Sequence, residues 1–221
     1  MKKFIFLLGL LPAISTWNIQ AQKPPFHDEI EAFRKQDSTT FPAKGAILFT
    51  GSSSFRMWNN LTHYFKGYTV INRGFGGATL SDLIYYAPDI IFPYEPRQLV
   101  IYCGENDLAS SDTVTAKMLA DKFVYLFTLV RNRYPGLPVV FVSIKPSPSR
   151  KLLIPRIKEA NSRIKGFLSR QQRTAYADVY RNMVGKDGQP IGSLFLADSL
   201  HMNETGYSIW QKAIKPLLLK D

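Results

Sequence analysis

Three serines in a row, Ser52, Ser53 and Ser54, follow Gly51 at the end of an apolar run, and any of them could act as a nucleophile if a base stood beside it. A serine hydroxyl is a poor nucleophile at neutral pH, so the base is the residue to look for. The chain offers three histidines. His27 lies in an early, solvent-facing stretch, and His63 sits in Asn60-Leu61-Thr62-His63-Tyr64 with no neighbouring acid. His201 closes the segment Asp198-Ser199-Leu200-His201. An imidazole acting as a base needs its other ring nitrogen held by an acceptor, commonly a carboxylate. Asp198, three positions earlier in a loop, can fold back to supply it. Taken singly, serines after a strand are turn and helix-cap residues, and an Asp-x-x-His is an ordinary loop. Composition does not choose among the three serines.

Attack on a carbonyl builds negative charge on its oxygen, which backbone N–H groups or an amide side chain can stabilise. Two further segments carry suitable groups. In Asn72-Arg73-Gly74-Phe75-Gly76-Gly77, the last glycine can bring its N–H close to a ligand because it has no side chain. In Gly104-Glu105-Asn106-Asp107, Asn106 can offer its amide. On their own, both residues also read as turn residues.

Such groups need a frame. Ala46–Thr50, Tyr68–Asn72, Gln98–Tyr102, Pro138–Val142 and the weaker Thr174–Asp178 read as strands. Their runs are continuous rather than alternating, which suits strands covered on both faces. Between them, Ala116, Leu119, Ala120, Phe123, Leu126, Phe127 and Val130 recur at helical spacing, with Asp112 as the expected cap and Pro135-Gly136 as the stop. Ile157, Ala160, Ile164, Phe167 and Leu168 form a second stripe. Trp210, Ala213, Ile214 and Leu217 form a third, capped by Asn203. Alternating strands and helices predict an α/β fold, a three-layer α/β/α sandwich around a mostly parallel, five-stranded, flavodoxin-like sheet. In such sheets ligands bind beyond the carboxyl ends of the strands. The serine, glycine and asparagine segments all leave such ends.

Taken together, these segments resemble the SGNH hydrolases, also called GDSL-like esterases and lipases. Gly51-Ser52-Ser53 matches the family's Gly-Asp-Ser block, with Ser53 on the nucleophile. Gly77 falls on the oxyanion glycine, Gly104-Glu105-Asn106-Asp107 on the Gly-x-Asn-Asp block, and Asp198-Ser199-Leu200-His201 on Asp-x-x-His. The likeness runs from Ile47 to the C-terminus. Ser52 stands where many relatives have an aspartate that is not a triad member, and Gly-Ser-Ser-Ser is similar to a branch of carbohydrate acetylesterases and platelet-activating-factor-acetylhydrolase-like proteins. The resemblance implies a Ser53–His201–Asp198 triad, and an oxyanion hole of the Ser53 and Gly77 N–H groups and the Asn106 amide. It implies a carboxylic ester substrate, a short acyl group on carbohydrate being preferred. A lipid esterase or lysophospholipase, and a silent glycan-binding module, are the alternatives.

The rest of the chain sets the context. Its 221 residues, 45% hydrophobic and 20% charged, have the make-up of a globular protein. Lys2 and Lys3 precede the apolar run Phe4–Ile14, and Ala21 offers a small residue near its exit. Residues 1–21 therefore read as a cleavable secretory leader, too short to span a bilayer, and 22–221 as a single hydrolase domain. A secreted or periplasmic location follows as an expectation. Cys103 is the single cysteine, so no internal disulfide can form, and its apolar strand end suggests a buried thiol. The formal charge of +11 is spread along the chain without a nucleic-acid motif and reads as a solvated surface. There is no clustered Cys/His set, no His-Glu-x-x-His, no Gly-x-Ser-x-Gly elbow and no dinucleotide fingerprint, so no metal, cofactor or nucleic-acid partner is expected. Lys145, Pro146, Ser147 and Arg150 follow the fourth strand and read either as substrate contacts or as a solvated loop. Loss of one oxyanion donor typically costs ~10²–10³ in turnover. Asn106→Ala is therefore expected to fold normally and to lose turnover on that scale, which steady-state kinetics and a thermal melt would check together.

Overall fold

The computed structural model describes residues 23–220, and the leader read at residues 1–21 lies outside them. Five parallel strands form one sheet in the order β2-β1-β3-β4-β5. They are β1 (Ile47–Gly51), β2 (Val70–Gly74), β3 (Gln98–Tyr102), β4 (Val139–Val142) and β5 (Thr174–Ala177). Among the described residues eight α-helices accompany them: α1 (His27–Thr39), α2 (Ser53–Arg56), α3 (Leu61–Tyr64), α4 (Leu80–Ile90), α5 (Glu105–Ser110), α6 (Ala116–Arg133), α7 (Ile154–Leu168) and α8 (Glu204–Ile214).

Successive side chains of a strand point to opposite faces, and here both faces are covered. Leu48, Leu99, Ile101, Val139 and Phe141 enter one core with residues of α1, α4, α6 and α7. Ile47, Phe49, Val100, Tyr102, Val140 and Val142 enter the other with Phe55, Trp58, Leu61 and the α8 residues Tyr207 and Trp210. This is why the strands read as unbroken apolar runs. The stripe on α6 is buried in full, and Asn203 caps α8 by accepting from the Gly206 N–H.

Several bounds shift from the sequence expectation: β1 runs Ile47–Gly51 rather than Ala46–Thr50, β2 starts at Val70, β4 starts at Val139 and β5 ends at Ala177, and two further differences have a plain cause. β2 continues past Asn72 to Gly74, because Arg73 is buried rather than solvated: its guanidinium meets Asp37, the Tyr94 hydroxyl, and the Phe33 and Tyr94 rings. Thr115, not Asp112, caps α6 by accepting from the Met118 N–H, and Asp112 instead pairs with Arg156. Thr115 directly precedes the first helical residue, where a cap oxygen can reach the free N–H groups; Asp112 is too far upstream.

The chain leaves β1 for β2 on one side and later returns for β3 on the other, so the topological switch lies between β1 and β3. The backbones approach closely there. Gly51 has φ +152°, and a Cβ on it would stand 1.9 Å from the Tyr102 carbonyl oxygen. The Ser52 N–H donates to that same oxygen at 3.1 Å. Gly51→Ala is expected to lose at least ~2 kcal/mol of stability, because backbone rather than a flexible side chain must yield. A thermal melt should show a fall of roughly 5–10 °C, given the few degrees per kcal/mol of a domain this size.

Candidate active site

Ser52 and Ser54 are buried at 3% and 2% exposure, whereas Ser53, the first residue of α2, remains partly open. Position thus distinguishes three serines that composition could not. The Ser53 N–H, at the first position of a helix, has no partner within the helix. The exit of β2 packs tightly on this turn: a Cβ on Gly74 would lie 2.6 Å from the Arg56 nitrogen. Asn72 stitches the two segments, donating to the Phe55 carbonyl at 2.7 Å and accepting from the Gly74 N–H at 2.9 Å.

His201 arrives from the far end of the sequence. Its Nε2 lies 2.9 Å from Ser53 Oγ, and its Nδ1 lies 2.6 Å from Asp198 Oδ2. His27 and His63 stand elsewhere, opening α1 and within α3. The Asp198-to-His201 segment is a built turn. Asp198 Oδ1 accepts from the Leu200 and His201 N–H groups, both at 2.9 Å, and Ser199 takes a left-handed φ of 56°. The ends are tied by the Leu196 N–H to the His201 carbonyl at 2.8 Å, and the side by the Ser149 N–H to the Ser199 carbonyl at 3.1 Å. The hydrogen bond from His201, helped by the two backbone donors, holds the Asp198 carboxyl down at about 2. Asp198 is therefore an anion at any ordinary pH. It favours the tautomer with the proton on Nδ1, which leaves the Nε2 lone pair facing the Ser53 hydroxyl.

Gly77 is exposed, and among the described residues its N–H donates to no other group. A Cβ on Gly77 would lie 3.8 Å from Asn106 Nδ2, so the two residues face one another. Asn106 spends one amide hydrogen on the Ala78 carbonyl at 3.1 Å, which fixes the amide and leaves the second hydrogen free. Asp107 joins the same loops: its buried carboxylate accepts from the Leu80 N–H at the start of α4, at 3.0 and 3.2 Å. Burial pushes that carboxyl above its usual range. Together, the structure brings Ser53, His201 and Asp198 into one hydrogen-bonded line and sets Asn106 against Gly77.

Sequence reasoning missed what holds the start of α5. Lys145 and Ser147 are neither substrate contacts nor solvated, being 1% and 0% exposed. Lys145 pairs with Glu105, which also accepts from Ser147 Oγ at 2.6 Å and from the Tyr102 hydroxyl at 3.0 Å. A buried carboxylate is tolerated when its lone pairs are filled in this way. The partners lie 40 and 42 positions away, so no local pattern announces them. Among the described residues no group of His, Cys, Asp and Glu is arranged to hold a metal ion.

Solved structures share this architecture. A GDSL-like lipase from Bacteroides thetaiotaomicron is 19% identical, with 85% of this chain and 95% of that one covered at a TM-score of 0.73. The lipase/acylhydrolase from Enterococcus faecalis is 21% identical over 79% and 97% of the two chains, at 0.63. A carbohydrate esterase family 3 protein from Talaromyces cellulolyticus is 16% identical over 77% and 94%, at 0.62. Among curated proteins none matches the sequence. The model of the GDSL-like Lipase/Acylhydrolase family matches residues 37–209, a span that includes the serine turn, Gly77, Asn106 and the histidine turn. The chain belongs to the GDSL-like lipase/acylhydrolase family of ester hydrolases.

Proposed function

We propose that this protein is a serine esterase that removes short acyl groups, acetyl above all, from carbohydrate, with Ser53 as nucleophile, His201 as base and Asp198 as its orienting anion. The observation that carries the reading is His201, hydrogen-bonded at once to Ser53 Oγ and to Asp198. His201 Nε2 takes the hydroxyl proton as Ser53 Oγ attacks the ester carbonyl, and Asp198 stabilises the imidazolium that results. The Ser53 and Gly77 N–H groups and the free Asn106 amide hydrogen hold the oxyanion. Collapse of the tetrahedral intermediate expels the alcohol, which takes the proton from His201. Water, deprotonated by the same imidazole, then releases the acid and restores Ser53.

Two features support a short acyl group and a polar alcohol. β1 passes into α2 through Ser52, and β3 into α5 through Cys103 and Gly104, which leaves no room at these strand ends for a long lid. Beside the histidine turn runs a groove of about 790 Å³ bordered by Leu196 and Met202. Its wall includes the polar side chains of Asn59, Asn60, His63 and Glu204, which suits hydroxyls better than an alkyl chain. The solved carbohydrate esterase with the same fold is consistent with this substrate class. Lys2, Lys3 and the apolar run Phe4–Ile14 support export, so that the substrate is met outside the cytoplasm. No described helix is long and apolar enough to cross a membrane.

Hydrolysis of p-nitrophenyl esters of increasing acyl length, with Ser53→Ala as the blank, tests the proposal. Rates are expected to be highest on acetate, to fall with chain length and to vanish in the blank. A preference for long chains would shift the reading to a lipid esterase. Equal rates in wild type and blank would remove Ser53 from the chemistry.

A further inference from the structure

The loop that carries Gly77 is held by a segment that the family match does not include. The match begins at residue 37, whereas Phe26 and Glu29 precede it at the start of α1. Gly76 has φ +26°, and a Cβ there would lie 2.3 Å from the Phe26 ring and 2.9 Å from Glu29 Oε1. The start of α1 is therefore seated directly on the Gly76 backbone, which must be glycine to accept it. The Gly76 N–H donates to Glu29 Oε2 at 2.9 Å. The same carboxylate oxygen stands 3.6 Å from Arg56 on α2, so one side chain reaches both the oxyanion loop and the nucleophile helix.

This contact is braced on several sides. Phe26 packs edge-on against Phe75 at 5.4 Å between ring centres, and Phe75 against Tyr86 at 5.9 Å. The Tyr86 hydroxyl donates to the Pro25 carbonyl at 2.6 Å, fastening the segment to α4. Towards the other end of α1, Asp37 takes the guanidinium of Arg73, three residues before Gly76. The exit of β2 is thus gripped at Arg73 and at Gly76 by one helix.

We propose that Glu29 is a positioning residue for ester hydrolysis: through Gly76 it fixes the peptide whose next N–H, that of Gly77, receives the oxyanion. The inference rests on the reading of Ser53, Gly77 and Asn106 given above. Glu29 touches no reacting atom and acts only through the loop. Its effect therefore belongs to the transition state, when charge appears on the oxygen, rather than to substrate binding. The ion pair with Arg56 is half-exposed and adds little by itself.

The test compares Glu29→Ala and Glu29→Gln in the full chain, with Ser53→Ala and Asn106→Ala alongside, on p-nitrophenyl acetate. A loosened donor costs less than a lost one, so Glu29→Ala should lower kcat about tenfold and leave KM within about twofold. Glu29→Gln, whose amide oxygen still accepts from Gly76, should recover most of the loss. Both variants should melt close to wild type. Wild-type kcat in Glu29→Ala, a change confined to KM, a Gln variant no better than Ala, or a loss fully accounted for by unfolding at the assay temperature would each overturn the proposal. If Ser53→Ala and Asn106→Ala keep wild-type turnover, the underlying site reading fails. If those two collapse while Glu29→Ala does not, only the role of Glu29 is wrong.

Discussion

Everything at the active face depends on how closely β1 can approach β3. At the switch point the two strands part, and the chain leaving β1 must turn while still bonded to its neighbour. Gly51 makes this possible by bringing no Cβ to the Tyr102 carbonyl, which then accepts the Ser52 N–H. The turn that follows buries the serines on either side of Ser53 and leaves Ser53 partly open. Tyr102 is shared further: its ring packs against Phe55 and Trp210, and its hydroxyl reaches Glu105. One strand end therefore sets the positions of α2, α8 and α5 at the same time.

Around that point the loops are fastened chiefly to one another. Asn72 ties the exit of β2 to α2, while Asn106 and Asp107 tie α5 to the segment from Ala78 to Leu80. Lys145 and Ser147 tie the loop after β4 to Glu105. The Ser149 N–H then holds the histidine turn. Side chains held by such cross-ties need little rearrangement when charge develops, which is the condition for electrostatic stabilisation to be effective. The charges used for this are buried and paired, unlike the scattered surface lysines and arginines that dominate the net charge.

The sequence was legible where the physics is local. β3 was bounded to the residue because Gln98 to Tyr102 is a continuous run ended by Cys103-Gly104. The α6 stripe was complete because core contact repeats with the helix. Asp198 and His201 could be paired in advance because three residues of turn suffice to join them. Arg73 falls outside the strand expected from sequence because a buried cation looks like a solvated one until Asp37 and Tyr94 are seen beside it. The Lys145–Glu105 pair escaped for the same reason, and α1 because only Ile30 on it is fully buried. The four family blocks indicated the site, but the ties that hold it join residues far apart in the chain.

The hydrogen bond between Ser53 and His201 spans 148 positions. His201 reaches Ser53 only when the last helix docks, with Trp210 against Phe55 and Tyr102 and the Tyr207 hydroxyl on the Ser54 carbonyl. A chain emerging from the ribosome therefore exposes its serine turn early and its imidazole late. For most of its synthesis Ser53 lacks His201 beside it, and the Ser53–His201–Asp198 line is a property of the finished fold. The order of the elements thus sets when that hydrogen-bonded line can form.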